Sequence, residues 1–98
     1  MKRSKGMVLV DNYWIPKSQA KKFLETRERC AVEATLIMGE FCEKVERCWA
    51  GSEDGEAVVG TDQHGEIVCL IHLDPGKIVI MEKAVNEGRL KEYISGTN

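Results

Sequence analysis

Ala20, Leu24, Ala31, Ala34, Met38, Phe41, Val45 and Cys48 follow one another in steps of three and four, with Arg27 filling one slot. That is the spacing of one helix face, and no other feature of the chain restricts its fold so strongly. The stripe predicts one long amphipathic helix, which needs a second layer to lie on. Pro16 holds Ile15 extended, so the helix is expected to start near residue 17 with Ser18 as its N-cap. Glu25 with Arg29, Glu40 with Lys44 and Glu43 with Arg47 fall at i,i+4 on the outer side. Gly39 interrupts the stripe, and an interior glycine costs about 1 kcal/mol relative to alanine, so it marks a kink or a boundary between two helices. The alternative for residues 40–50 is a strand. Phe41, Glu43, Val45, Arg47 and Trp49 would then share a face and mix charged with apolar groups, which makes the helix the cleaner pattern.

The second layer is expected on both sides of the helix in sequence. Upstream, Met7 to Ile15 is rich in β-formers and broken by Asp11-Asn12, which suits a two-residue turn between short strands or one bent strand. Downstream, a polar loop Ala50-Gly-Ser-Glu-Asp-Gly55 gives way to three expected strands, Glu56 to Asp62, Glu66 to Leu73 and Lys77 to Glu82. Gln63-His-Gly65 and Asp74-Pro-Gly76 are read as the turns joining them into an antiparallel meander. Ile67, Cys69, Ile71 and Leu73 alternate with Val68 and Leu70, so both sheet faces call for cover. A terminal helix from Ala84 to Ile94 can supply some of it, and a second subunit is the competing cover. The fold class is therefore α+β: short N-terminal strands, one long helix, a three-stranded antiparallel meander and a C-terminal helix. At 98 residues the chain holds one domain over 1–98, with a flexible basic start at 1–6 and a frayed tail at 95–98.

Fourteen basic and 16 acidic residues are mixed along the chain, giving a net charge of -2 at pH 7. No global field therefore draws it to nucleic acid. No apolar run is long enough to cross a membrane, and Asp11 and Asn12 interrupt the stretch that would serve as a signal peptide, so the expected home is the cytoplasm, with no membrane contact. Cys30, Cys42, Cys48 and Cys69 form no C-x-x-C pair and read as free thiols in apolar surroundings.

Chemistry finds little purchase. Cys42, Cys48, His64, Cys69 and His72 carry the donors that zinc prefers. Their spacing opposes a site, because Cys69 and His72 point to opposite faces of a strand, while Cys42 and Cys48 diverge by more than about 90° on a helix. As a strand, 40–50 would instead bring those two cysteines to one face. The same alternation separates Cys69 from His72 as a nucleophile and base. His64 reads as a turn residue, and neither a Walker pattern nor G-x-G-x-x-G occurs. No cofactor, metal or catalytic residue is expected, and the chain is read as a non-enzyme.

One local likeness bears on RNA. The run Val59-Gly-Thr-Asp-Gln-His-Gly-Glu-Ile-Val-Cys-Leu70 resembles the first signature of Sm-like RNA-binding proteins, and Ile78-Val-Ile-Met81 is a faint echo of their second. The likeness covers about a fifth of the chain and implies a strand-turn-strand at that place. Gly65 and Glu66 stand where that family has methionine and asparagine, which removes the residue expected to read a base.

Two surfaces remain as candidates for function. Apolar excess along the stripe, at Ala31, Ala34, Met38, Phe41, Val45 and Trp49, predicts a protein-interaction module that partners itself, of a type suited to an accessory or inhibitor protein. The alternative is binding of single-stranded nucleic acid or another polyanion at the basic end. There Lys2, Arg3, Lys5, Lys17, Lys21 and Lys22 would meet phosphate while Tyr13 and Trp14 stack bases.

Overall fold

The computed structural model describes residues 6–10, 13–49 and 55–97. Strands β1 (Met7–Val10) and β2 (Tyr13–Pro16) pair antiparallel with Val10 opposite Tyr13. The two expected N-terminal strands are therefore present, while the Asp11-Asn12 turn lies outside the described residues. This hairpin starts the long helix α1 (Lys17–Met38): the first helical amide, of Lys17, donates to the Gly6 carbonyl at 2.7 Å. Pro16, with φ -58° and ψ 133°, is the cap residue, so Ser18 sits within the first turn and caps nothing. Proline suits this place because it has no amide to leave unpaired.

The stripe of α1 turns inward as expected over its second half. Cys30, Ala31, Ala34 and Met38 are buried, and Phe23 packs against the same core one position before the expected Leu24, which is exposed. Arg27 fits the stripe because its guanidinium lies 5.4 Å from the centre of the Phe23 ring and 3.5 Å from the Glu56 carboxylate. A cation placed so keeps its charge paired while its stem covers apolar surface.

The helix ends at Gly39, and the expected continuation to Trp49 is replaced by strand β3 (Lys44–Trp49). Gly39 keeps a right-handed φ of -62°, and the amide of Cys42 closes one more turn onto the Met38 carbonyl at 2.8 Å. Glu43 then donates to Thr61 at 2.8 Å and enters the sheet. The charges expected to pair along a helix find partners elsewhere. Arg47 donates to Glu56 on the neighbouring strand and to Glu28 of α1 at 2.6 Å, Glu40 takes Lys91 at 3.0 Å, and Arg29 lies 3.6 Å from Glu82.

Strands β4 (Glu56–Thr61) and β5 (Ile67–His72) complete a three-stranded antiparallel sheet in the order β3-β4-β5. The meander expected from the sequence exists, but β3 supplies its first strand and the expected strand at Lys77 to Glu82 is helical. Asp74-Pro-Gly76 is a helix start: Asp74 caps α2 (Pro75–Asn86) by accepting from the Lys77 amide at 3.4 Å, and Pro75 takes the first position. Ile78 and Met81 face the core while Val79 and Ile80 face out, so the run that looked apolar on both faces is a helix turn. Gly88, at φ 70°, then reverses the chain, with the Arg89 amide donating to Ala84 at 2.7 Å and that of Gly88 to Val85 at 3.1 Å. It divides the expected single C-terminal helix into α2 and α3 (Leu90–Thr97), and α3 carries the expected frayed tail as far as Thr97.

Val58, Cys69, Ile71 and Leu73 from the sheet meet Met38, Ile78, Met81, Leu90 and Ile94 from the three helices in one core cluster. The closest approach is at β4. A Cβ built on Gly60 would stand 2.3 Å from Cys42 Sγ and 3.1 Å from Met38 Cε, so only glycine lets the turn after α1 lie there. The molecule measures 47 × 30 × 18 Å along its principal axes.

Gly60→Ala is expected to destabilise the fold by about 1–3 kcal/mol through overpacking, with part of the loss recovered when Cys42 is also alanine. Urea denaturation of the two variants checks this, and an unshifted midpoint for Gly60→Ala would contradict the packing.

Candidate interaction surface

In an antiparallel sheet, directly opposed residues point to the same side. The register places Val45, Arg47 and Trp49 of β3, Glu56, Val58 and Gly60 of β4, and Cys69 and Ile71 of β5 on the helix side. Three rows remain on the opposite side: Cys48, Ala57 and His72; then Glu46, Val59 and Leu70; then Lys44, Thr61 and Ile67. None of these residues belongs to the core cluster. Ala57 in the first row is nevertheless fully buried, and Val59, Leu70 and His72 are half-buried, so this side is open mainly at its Lys44, Glu46, Cys48 and Ile67 positions.

The open side is uneven. Its β3 margin carries Lys44 and Glu46, exposed and 2.9 Å apart in an ion pair. Its middle and far margin carry Val59, Leu70 and Ile67, and Ile67 is 65% exposed. A bulge between Gly60 and Thr61 sets Cys69 opposite Gly60 and Ile67 opposite Thr61, so Val68 has no partner on β4, and it is 40% exposed. Apolar exposure on this side of the sheet is thus concentrated along β5, one of the two outer strands, while Trp49 on the helix side of β3 is also exposed. The row Cys48, Ala57, His72 holds a buried His72 Nδ1 with no hydrogen-bond partner among the described residues.

The expected interface residues divide. Ala31, Ala34 and Met38 are fully covered by the chain's own sheet and helices, so they face no second molecule. The stripe was apolar because it seats α1, and that accounts for its excess. Phe41 and Trp49 are 49% and 53% exposed, and Val45 is half-buried. They lie on the turn and edge strand that follow α1, and Val32 and Leu36 of α1 are exposed as well. A shallow groove of about 270 Å³ runs between α1 and β3, lined by Val32, Leu36, Thr35 and the Glu28–Arg47 pair.

At the basic end, Lys17, Lys21 and Lys22 are exposed on the first turns of α1, Trp14 is 36% exposed, and Tyr13 is half-buried. Lys2, Arg3 and Lys5 lie outside the described residues. Lys22 borders a groove of about 400 Å³ between α1 and α2 whose other walls are Ile15, Phe23, Ile78 and Val79, with Glu82 as its acidic member. That lining is mainly apolar and carries both signs of charge, unlike the uniformly positive track that holds a phosphate backbone.

Cys42 and Cys48 do not share a face, because Cys42 precedes β3 and its sulfur sits over Gly60 on the helix side. Among the described residues no three His, Cys, Asp or Glu side chains converge as metal ligands. The Sm-like run forms the β4-β5 hairpin for a local reason. Asp62 Oδ1 accepts from the amides of His64 at 2.8 Å and Glu66 at 3.0 Å, and Gly65 supplies a φ of 79°. The echo at Ile78 to Met81 is helical, so the second signature has no strand here. No protein-family model matches this chain, and no match was found to a curated protein or to a solved structure. No helix among the described residues is long and apolar enough to cross a membrane.

The thiols provide a check of these placements. Burial raises the Cys30 thiol above its ordinary range, outweighing nearby Arg29, and desolvation raises that of Cys42. Cys69 is 2% exposed, whereas Cys48 is open on the sheet. A raised pKa leaves less thiolate at a given pH and slows alkylation. At pH 8, mass-mapped alkylation of the native protein is therefore expected to mark Cys48 first and Cys30 and Cys69 only after unfolding. Equal labelling of Cys30 and Cys48 would contradict the arrangement.

Proposed function

We propose that this chain is a small non-enzymatic protein-interaction module that works as a homo-oligomer, with the β5 margin of its sheet as the contact surface. The observation that carries the reading is the distribution of side chains on the open side. Apolar groups gather at Val59, Leu70, Ile67 and Val68, and charge gathers at Lys44 and Glu46. An apolar centre bordered by charge is the anatomy of a protein contact. The apolar character of this surface favours a binding role. An accessory part in a larger assembly suits a domain of this size, and the cytoplasm remains the proposed compartment.

Native mass spectrometry of the purified protein at micromolar concentration tests the proposal. An assembly of two or more chains with no added small-molecule mass is expected. Leu70→Lys, which charges the centre of the surface, is expected to reduce it to monomers while the far-ultraviolet circular dichroism stays native. A wild-type monomer, or a Leu70→Lys assembly unchanged from wild type, would overturn the reading.

A further inference from the structure

We infer that the partner is a second copy of this chain, joined along β5 by antiparallel strand pairing about a two-fold axis. The two three-stranded sheets then form one six-stranded sheet. The inference rests on the proposed reading of the β5 margin as a contact surface, and it names the partner and the mode of contact.

The argument begins with the two edges. An edge strand offers a row of unpaired amides and carbonyls, and proteins that stay apart protect such rows with charge, proline or very short strands. One edge is protected in that way: β3 reads Lys44-Val-Glu-Arg-Cys-Trp49 and carries three charges in six residues. The other is not, since β5 reads Ile67-Val-Cys-Leu-Ile-His72 without a carboxylate, lysine, arginine or proline. Ile67 and Val68 are 65% and 40% open at the start of that same strand, while the exposed apolar group of β3, Trp49, stands at its last position beyond the three charges.

The bulge fixes where pairing can be regular. Val68 is the extra residue on β5, so Cys69 to His72 is the stretch with unbroken strand geometry, and the two-fold axis falls within it. Antiparallel pairing then brings the exposed Ile67 and Val68 of each chain against the C-terminal end of the other's β5. An axis normal to the sheet keeps like faces together, so the helix layers of both chains lie on one side.

Charge decides among the pairings. Joining β5 of one chain to β3 of the next would set Lys44, Glu46 and Arg47 beside an apolar strand and would repeat without closing. Pairing β5 with β5 meets no charge in either strand and leaves a charged β3 at both outer edges. Growth therefore stops at two.

Light scattering and native mass spectrometry on a set of variants test this. The wild type is expected to be a dimer with no larger species. Ile67→Lys/Val68→Lys, at exposed positions, is expected to weaken association by at least about 100-fold, since it sets two unpaired charges against the apolar end of the other chain's β5. Cys48→Lys and Thr61→Lys place charge on the open face outside the apolar contact groups and are expected to leave the dimer intact. Having both face variants guards against one of them failing to fold. If both face variants dissociate while the double edge variant stays assembled, edge pairing is overturned and the interaction reading survives through face stacking. A wild-type monomer overturns both, and open-ended assemblies overturn closure at two.

Discussion

The close approach of α1 and its following turn to β4 is the contact on which the other elements depend. Ala31 and Ala34 are small enough to seat the helix on the sheet, and Gly60 is bare enough to admit Cys42 and Met38. Once α1 is seated, Arg47 ties β3 to it through Glu28 and to β4 through Glu56. The Arg47 guanidinium is held above its ordinary pKa by those two carboxylates, against the opposing effect of its burial. With the Glu28 side chain 60% and that of Arg47 35% in solvent, this tie contributes modestly to stability and mainly fixes position. Helices α2 and α3 then fill the space beside α1, and the Leu73 amide closes onto Glu56 at 2.9 Å to bring α2 to its starting point. The helices thus share one core cluster with one side of the sheet, and on the other side Ile67, Glu46, Lys44 and Cys48 stay exposed.

The parts of this fold that were legible in sequence are those decided within one element. The stripe from Ala31 to Met38 and the β4-β5 hairpin around Asp62 and Gly65 both appear as expected, because spacing and turn chemistry are local properties. The segment Lys44–Trp49 was misread because its partners are remote. Arg47 alternates with Val45 and Trp49 as in a strand, yet a charge on that face looked wrong until Glu28 and Glu56 supplied its counter-ions. Asp74-Pro-Gly76 was misread for a different reason. The tripeptide suits a turn or a helix start equally well, and the β-branched run that follows favoured the strand. Gly88 carried a signal for the division of α2 from α3, since a glycine after Asn86-Glu87 is the usual helix stop.

The contact surface was less legible than the fold. Apolar stripes announce burial without saying against what, and Ala31, Ala34 and Met38 are spent on the chain's own core. The absence of charge in Ile67–His72 was visible from the start, but it acquires meaning only when β5 is known to lie at an edge. Strand order is a long-range property, and it turned on β3, the element misread. The uncharged run expected to be a central strand of the meander is the outer one, while the outer strand expected at Lys77 to Glu82 is a helix.

Amide hydrogen exchange resolved by residue, recorded at protein concentrations above and below dissociation, tests the paired-edge account most directly. The account predicts that the outward-facing amides of β5 are protected at high concentration and lose that protection on dilution, while those of β3 exchange quickly throughout. Equal and concentration-independent exchange along both edges would contradict it.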